Sequence, residues 1–154
     1  KSFNPLLEAQ CILGMEEKEY VATSFMAFEK GHPLVKEFLN LYEQLSFLDK
    51  KGQIIAGTNV AKLTKMLKEK GFVQENHYQE LENGIQIYPK EFFSPYDYIN
   101  CHYNITENSY CVHYFAVSWM SKKEQVKKEI KKRIVKILGP EKMNEIREKL
   151  WKKN

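Results

Sequence analysis

At 154 residues, 43% hydrophobic and 13% aromatic, the chain is long and apolar enough to bury one core, which excludes a disordered segment. No stretch approaches the roughly 20 apolar residues of a membrane span, and neither GxGxxG nor GxxxxGK[ST] occurs, which sets aside a Rossmann dehydrogenase and a P-loop NTPase. The net charge of +4 is uneven: residues 121–154 hold 13 basic and 5 acidic side chains and residues 1–120 hold 11 and 15, a balance unlike that of a uniform nucleic-acid binder.

In chain order, "CILGM" and "YVATSFMAFE" read as two strands, the second rich in β-branched and aromatic residues. "KGHP" makes a turn, and Pro33 suits the first position of a helix. That helix is expected to run through "LVKEFLNLYEQLSFL", with Leu34, Phe38, Leu41, Leu45 and Leu48 on one face. "KKGQIIAGT" is a loop. Thr58 or Asn59 caps a second helix, "VAKLTKMLKEK", which Gly71 closes. "GIQIYPKEFFSPYDY" alternates like a strand, but Pro89 and Pro95 make it an edge strand or an irregular aromatic loop. "SYCVHYFAV" is expected as the last strand. A basic helix follows Ser121, with Val126, Ile130, Ile134 and Ile137 as its apolar stripe. Gly139-Pro140 breaks it, and a short helix ends near Trp151. The fold class is α/β, a mixed sheet with packed helices in residues 1–120 and a basic helical tail in 121–154.

Few residues invite chemistry. The two aspartates, Asp49 and Asp97, cannot form a D-x-D, the pair that holds a divalent metal against a diphosphate. Three cysteines with no metal-knuckle spacing read as reduced thiols in a cytosolic protein. His32, in the turn before the first helix, and His77, in a polar loop, read as structural or exposed. His113 lies in an apolar run, where it is either a satisfied core histidine or a ligand whose second ring nitrogen is held by a partner. Ser118 adds a hydroxyl and Trp119 a flat surface with one N–H donor.

Four segments in order, "ILGMEEKEYVATSFMAFEKGHPLVKEFL", "GTNVAKLTKMLKEKGF", "IQIYPKEFFSPYDY" and "NITENSYCVHYFAVSW", resemble the C-terminal half of glycosyltransferase family 32 enzymes. These are the "DXD sugar-binding" enzymes of bacterial capsule and lipopolysaccharide assembly, together with fungal mannosyltransferases. The likeness runs from about Cys11 to about Lys136 and implies part of a GT-A fold. It further implies retaining, metal-dependent transfer of a sugar from a nucleotide-sugar to a saccharide or lipid-linked saccharide. By the resemblance His113 is a ligand of Mn2+ or Mg2+, and Ser118, Trp119, Thr58 and Asn59 belong to the nucleotide-sugar site.

The departures are specific. The family's D-x-D is expected just before "SFNPLL", upstream of Lys1, so this stretch alone is expected to transfer no sugar. Val117 stands where a glycine often precedes the Ser-Trp pair, Thr23 lies near where the family has an asparagine, and Val60 replaces the proline of a Thr-x-Pro turn. Either the stretch belongs to a full enzyme, or it is a naturally short, inactive relative acting as a non-enzymatic binding or scaffold domain. "SKKEQVKKEIKKRIVKIL" carries two readings, a stripe packed on the core or a peripheral helix at an anionic membrane surface. The expected location is cytoplasmic, peripheral at the inner face of the membrane in the second case.

Overall fold

A computed structural model of the chain describes residues 1–43, 45–46, 48–52, 58–115 and 121–151. Its centre is a mixed four-stranded sheet of β1 (Cys11–Met15), β2 (Val21–Phe28), β3 (Gln79–Leu81) and β4 (Ile85–Tyr88), in the order β2-β1-β4-β3. β1 pairs antiparallel with β2 and parallel with β4, matching Cys11–Gly14 to Ile85–Tyr88, while β3 and β4 form an antiparallel hairpin. Five helices accompany the sheet among the described residues: α1 (Pro33–Glu43), α2 (Asn59–Lys68), α3 (Lys90–Phe93), α4 (Lys122–Leu138) and α5 (Pro140–Trp151). A two-stranded sheet joins β5 (Tyr96–Asp97) to β6 (His102–Tyr103). The protein is therefore mixed α/β.

β1 is buried along its whole length, as a central strand covered on both faces must be. Its alternation sends Cys11, Leu13 and Met15 to one side. There they pack with Ile85 and Ile87 of β4, Leu34 of α1, and Leu63 and Leu67 of α2. A buried bond from the Val21 amide to Thr64 Oγ1, 2.9 Å, seats α2 against the start of β2. The opposite face carries Ile12 and an aromatic layer around Phe93. Phe93 stacks on Phe25 at 3.9 Å between centroids and touches Tyr88 and Tyr110. Gly14 admits this layer, because a Cβ there would sit 2.8 Å from a Phe93 ring carbon.

Three expectations need correction, and one strand was not anticipated. α1 ends at Glu43, so only Leu34 of the expected stripe is buried and Phe38 packs at the core's margin, while Leu41, Leu45 and Leu48 are exposed. β4 is interior, because pairing stops at Tyr88 and Pro89 instead starts α3. β3 pairs with β4 across a three-residue connection, Glu82-Asn83-Gly84, in which Asn83 and Gly84 hold positive φ (59° and 64°). "SYCVHYFAV" forms no strand over its described residues, 109–115. The Tyr110 amide bonds to the Phe92 carbonyl at 2.7 Å, and Tyr110 and Cys111 roof the aromatic layer. The Tyr110 ring and the Cys111 side chain serve packing rather than a ladder.

The tail is helical as expected, and of the two readings of its apolar stripe the structure excludes the one packed on the core. Ser121 and Glu124 form a reciprocal capping box at the start of α4. Val135 is the buried residue of that helix, and Lys128, Lys131 and Lys132 are half-buried, whereas Val126, Ile130, Ile134 and Ile137 are exposed. The Lys128 ammonium donates to the Phe115 carbonyl, tying α4 to the body.

Candidate functional site

β2, the N-terminus of α2, the segment 98–115 and α4 enclose a cleft of about 910 Å³. Three expected site residues, Thr58, Asn59 and His113, line it together. Thr58 sits in extended backbone (φ −76°, ψ 158°) before α2, and its hydroxyl accepts from the Ala61 amide at 3.1 Å. Part of that oxygen's bonding capacity is thus committed to the cap. Asn59 donates through Nδ2 to Thr23 Oγ1 at 2.8 Å and accepts from the Val60 amide at 3.0 Å. An asparagine from α2 thereby supplies an amide directly beside Thr23.

His113 stands exposed on the cleft wall, its ring 4.0 Å from that of Phe115. Partial desolvation lowers its pKa below the ordinary 6.5, so the imidazole is neutral at pH 7 and one nitrogen is free of a proton. Phe115 holds a left-handed backbone (φ 47°), a conformation that costs a non-glycine residue about 1 kcal/mol or more. Its contacts with Tyr96, Tyr98 and His113, and its carbonyl bond to Lys128, are what oppose that cost. Ser118 and Trp119 lie outside the described residues.

Sequence reasoning missed the charged groups of the cleft. Lys127, Lys128 and Lys131 line it from α4, opposite Glu16 and Tyr98. Burial, reinforced by the neighbouring Glu17 charge, raises the pKa of Glu16. The Glu17 carboxyl is raised too, first by burial and then by Asp97, against the opposing pull of Lys90 at 3.1 Å. The recurrence of lysines at 127, 128 and 131, one face of a helix, was the signal available for that wall. No pattern marks Glu16, which reaches the cleft from the β1–β2 connection.

The other candidates are structural. His32 is buried, with Nδ1 accepting from the Leu34 amide (3.3 Å) and Nε2 donating to the Asn83 carbonyl (2.9 Å). Asp97 accepts from the amide and the side chain of Asn100 within a turn. All three cysteines are unpaired, and burial pushes the Cys11 thiol up to about 12, which makes it inert. Among the described residues, no three His, Cys, Asp or Glu side chains converge as a metal cage, and no helix is long and apolar enough to cross a membrane.

No protein-family model matches the chain, and neither does any curated protein or solved structure.

Proposed function

We propose that the chain is part of a retaining, metal-dependent glycosyltransferase of bacterial surface-polysaccharide assembly, its sheet the C-terminal part of a GT-A-like sheet. The observation that carries the reading is the convergence of Thr58 and Asn59, at the start of α2, with His113, from a segment more than 50 residues further on, on one cleft walled by three lysines. In this reading the cleft takes the diphosphate side of a nucleotide-sugar. Lys127, Lys128 and Lys131 supply positive charge where a departing diphosphate accumulates negative charge, at a site partly shielded from water. The Asn59 amide and Thr58 hydroxyl position polar groups of the donor, and the acceptor is a saccharide.

The neutral His113 imidazole fits one position in the shell of Mn2+ or Mg2+. The remaining ligands belong to a D-x-D outside these 154 residues. A bound cation would draw charge from the leaving diphosphate. His113 itself orients through its contact with Phe115, and the Lys128–Phe115 bond holds that contact in place.

The test measures nucleotide release from UDP- and GDP-sugars, with and without manganese, by the protein extended through the reading frame before Lys1. Metal-dependent release, lost in His113→Ala, is expected. A parallel measurement follows UDP and GDP binding by the present chain, expected to weaken in Lys127→Glu/Lys131→Glu. Absence of release from every donor, with nucleotide binding indifferent to the lysine changes, refutes the reading. That outcome favours a second reading, a non-enzymatic binding domain, for which the outward apolar stripe of α4 is the supporting observation.

A further inference from the structure

We propose that the outward face of α4 binds an anionic lipid surface, lying in its plane. The proposal does not rest on the transferase reading. Val126, Ile130, Ile134 and Ile137 are 58%, 53%, 41% and 82% exposed. They recur at four- and three-residue spacing and so form one continuous strip along a helix of 17 residues, about 25 Å long. The strip is not the helix's means of attachment, which uses the opposite side: Val135 is buried and Lys128 bonds the Phe115 carbonyl. Beside Val126 and Ile130 a second groove adds the exposed rings of Tyr103 and Tyr114. Tyrosine has an apolar body and a polar tip, the combination suited to a lipid headgroup boundary.

Charge selects the occupant. On a helical projection Lys122, Arg133 and Lys136 flank one side of the strip, and Lys123 and Lys127 the other. The two acids of α4 are both engaged, Glu124 in the capping box and Glu129 with Lys132 at 2.6 Å. A strip bordered by these five cations, which outnumber the two acids of the helix, repels a second copy of itself and attracts a negatively charged surface, at about 1 kcal/mol per basic residue near the headgroups. The apolar strip supplies the depth of insertion. Lys128 lines both grooves, so docking places the His113 cleft about one helix diameter, roughly 10 Å, from the surface.

The experiment is co-sedimentation of the full chain with vesicles of phosphatidylcholine alone and of phosphatidylcholine mixed with phosphatidylglycerol. Binding to the mixed vesicles alone, weakened by added salt, is expected. Val126→Ser/Ile137→Ser alters only exposed side chains, leaves the thermal midpoint unchanged, and weakens binding on the order of a hundredfold, about tenfold per apolar side chain withdrawn. Three results overturn the proposal: no sedimentation with the mixed vesicles; sedimentation undiminished by the serine changes, which leaves only adsorption of lysines; or a lipid-free dimer that the same changes dissociate, which gives the strip to a second copy.

Discussion

Replacing Gly14 with alanine tests how the aromatic layer is seated on the sheet. The added Cβ would lie 2.8 Å from Phe93 Cδ2, 3.2 Å from Phe93 Cβ and 3.4 Å from Cγ. The ring cannot retreat, because Phe25 stacks on it at 3.9 Å and Tyr88 and Tyr110 approach within 6 Å. Overpacking of this kind costs about 1–3 kcal/mol. Gly14 is not in left-handed backbone, so alanine also gains about 0.4–1 kcal/mol from the stiffer unfolded chain. The net loss is therefore about 1–2 kcal/mol, a fall of roughly 2–8 °C in midpoint for a domain of this size. Urea denaturation of Gly14→Ala, Phe93→Ala and the double variant closes a mutant cycle. Alanine at 93 removes Cγ and Cδ2 and leaves only the Cβ, at 3.2 Å, so Gly14→Ala should cost almost nothing in the Phe93→Ala background. If the two single losses simply add, to within about 0.5 kcal/mol, the contact is not what glycine serves.

Glu16 predicts a pH signature. Its folded pKa is raised, so the folded state holds its proton more tightly than the unfolded chain. The associated stability is complete below the ordinary carboxyl value of 4.5 and is lost as pH rises through the folded value. Glu16→Gln should thus melt higher than the parent at neutral pH and match it below pH 4.5; a lower melting point at neutral pH would contradict this. His32→Ala should lower stability by about 2–4 kcal/mol, since it strips partners from the Leu34 amide and the Asn83 carbonyl. A loss under about 0.5 kcal/mol by urea denaturation would show that water replaces both bonds.

Local signals were legible where packing agreed with them. β1, β2 and α2 follow their residue patterns, with Thr58 capping as its position before the apolar run indicates. β3 was missed although Asn83-Gly84 announces a hairpin, because "QEL" is short and polar. "SYCVHYF" misled for the converse reason: aromatic and β-branched residues suit a roof over Phe92 and Phe93 as well as a ladder. In α4 the periodicity was right and the side was left open. A moment gives a helix its apolar direction, but not whether the body or something else lies in that direction. The site was partly legible: Thr58, Asn59 and His113 do meet, while Glu16 and the lysine wall depend on tertiary placement.

The parallel pairing of β1 with β4 makes the sheet two hairpins joined along one seam, Cys11–Gly14 against Ile85–Tyr88. Each hairpin closes over a short connection, whereas the seam joins residues from opposite ends of the sheet's sequence and carries most of the loop-closure entropy. Amides along the seam should therefore exchange with solvent only when the whole domain opens. Those on the outer strands β2 and β3 can exchange through smaller openings. If exchange behaves so, four residue pairs hold the two halves of the sheet together, and the cleft, built on β2 and α2, rests on the β1–β2 side of that seam.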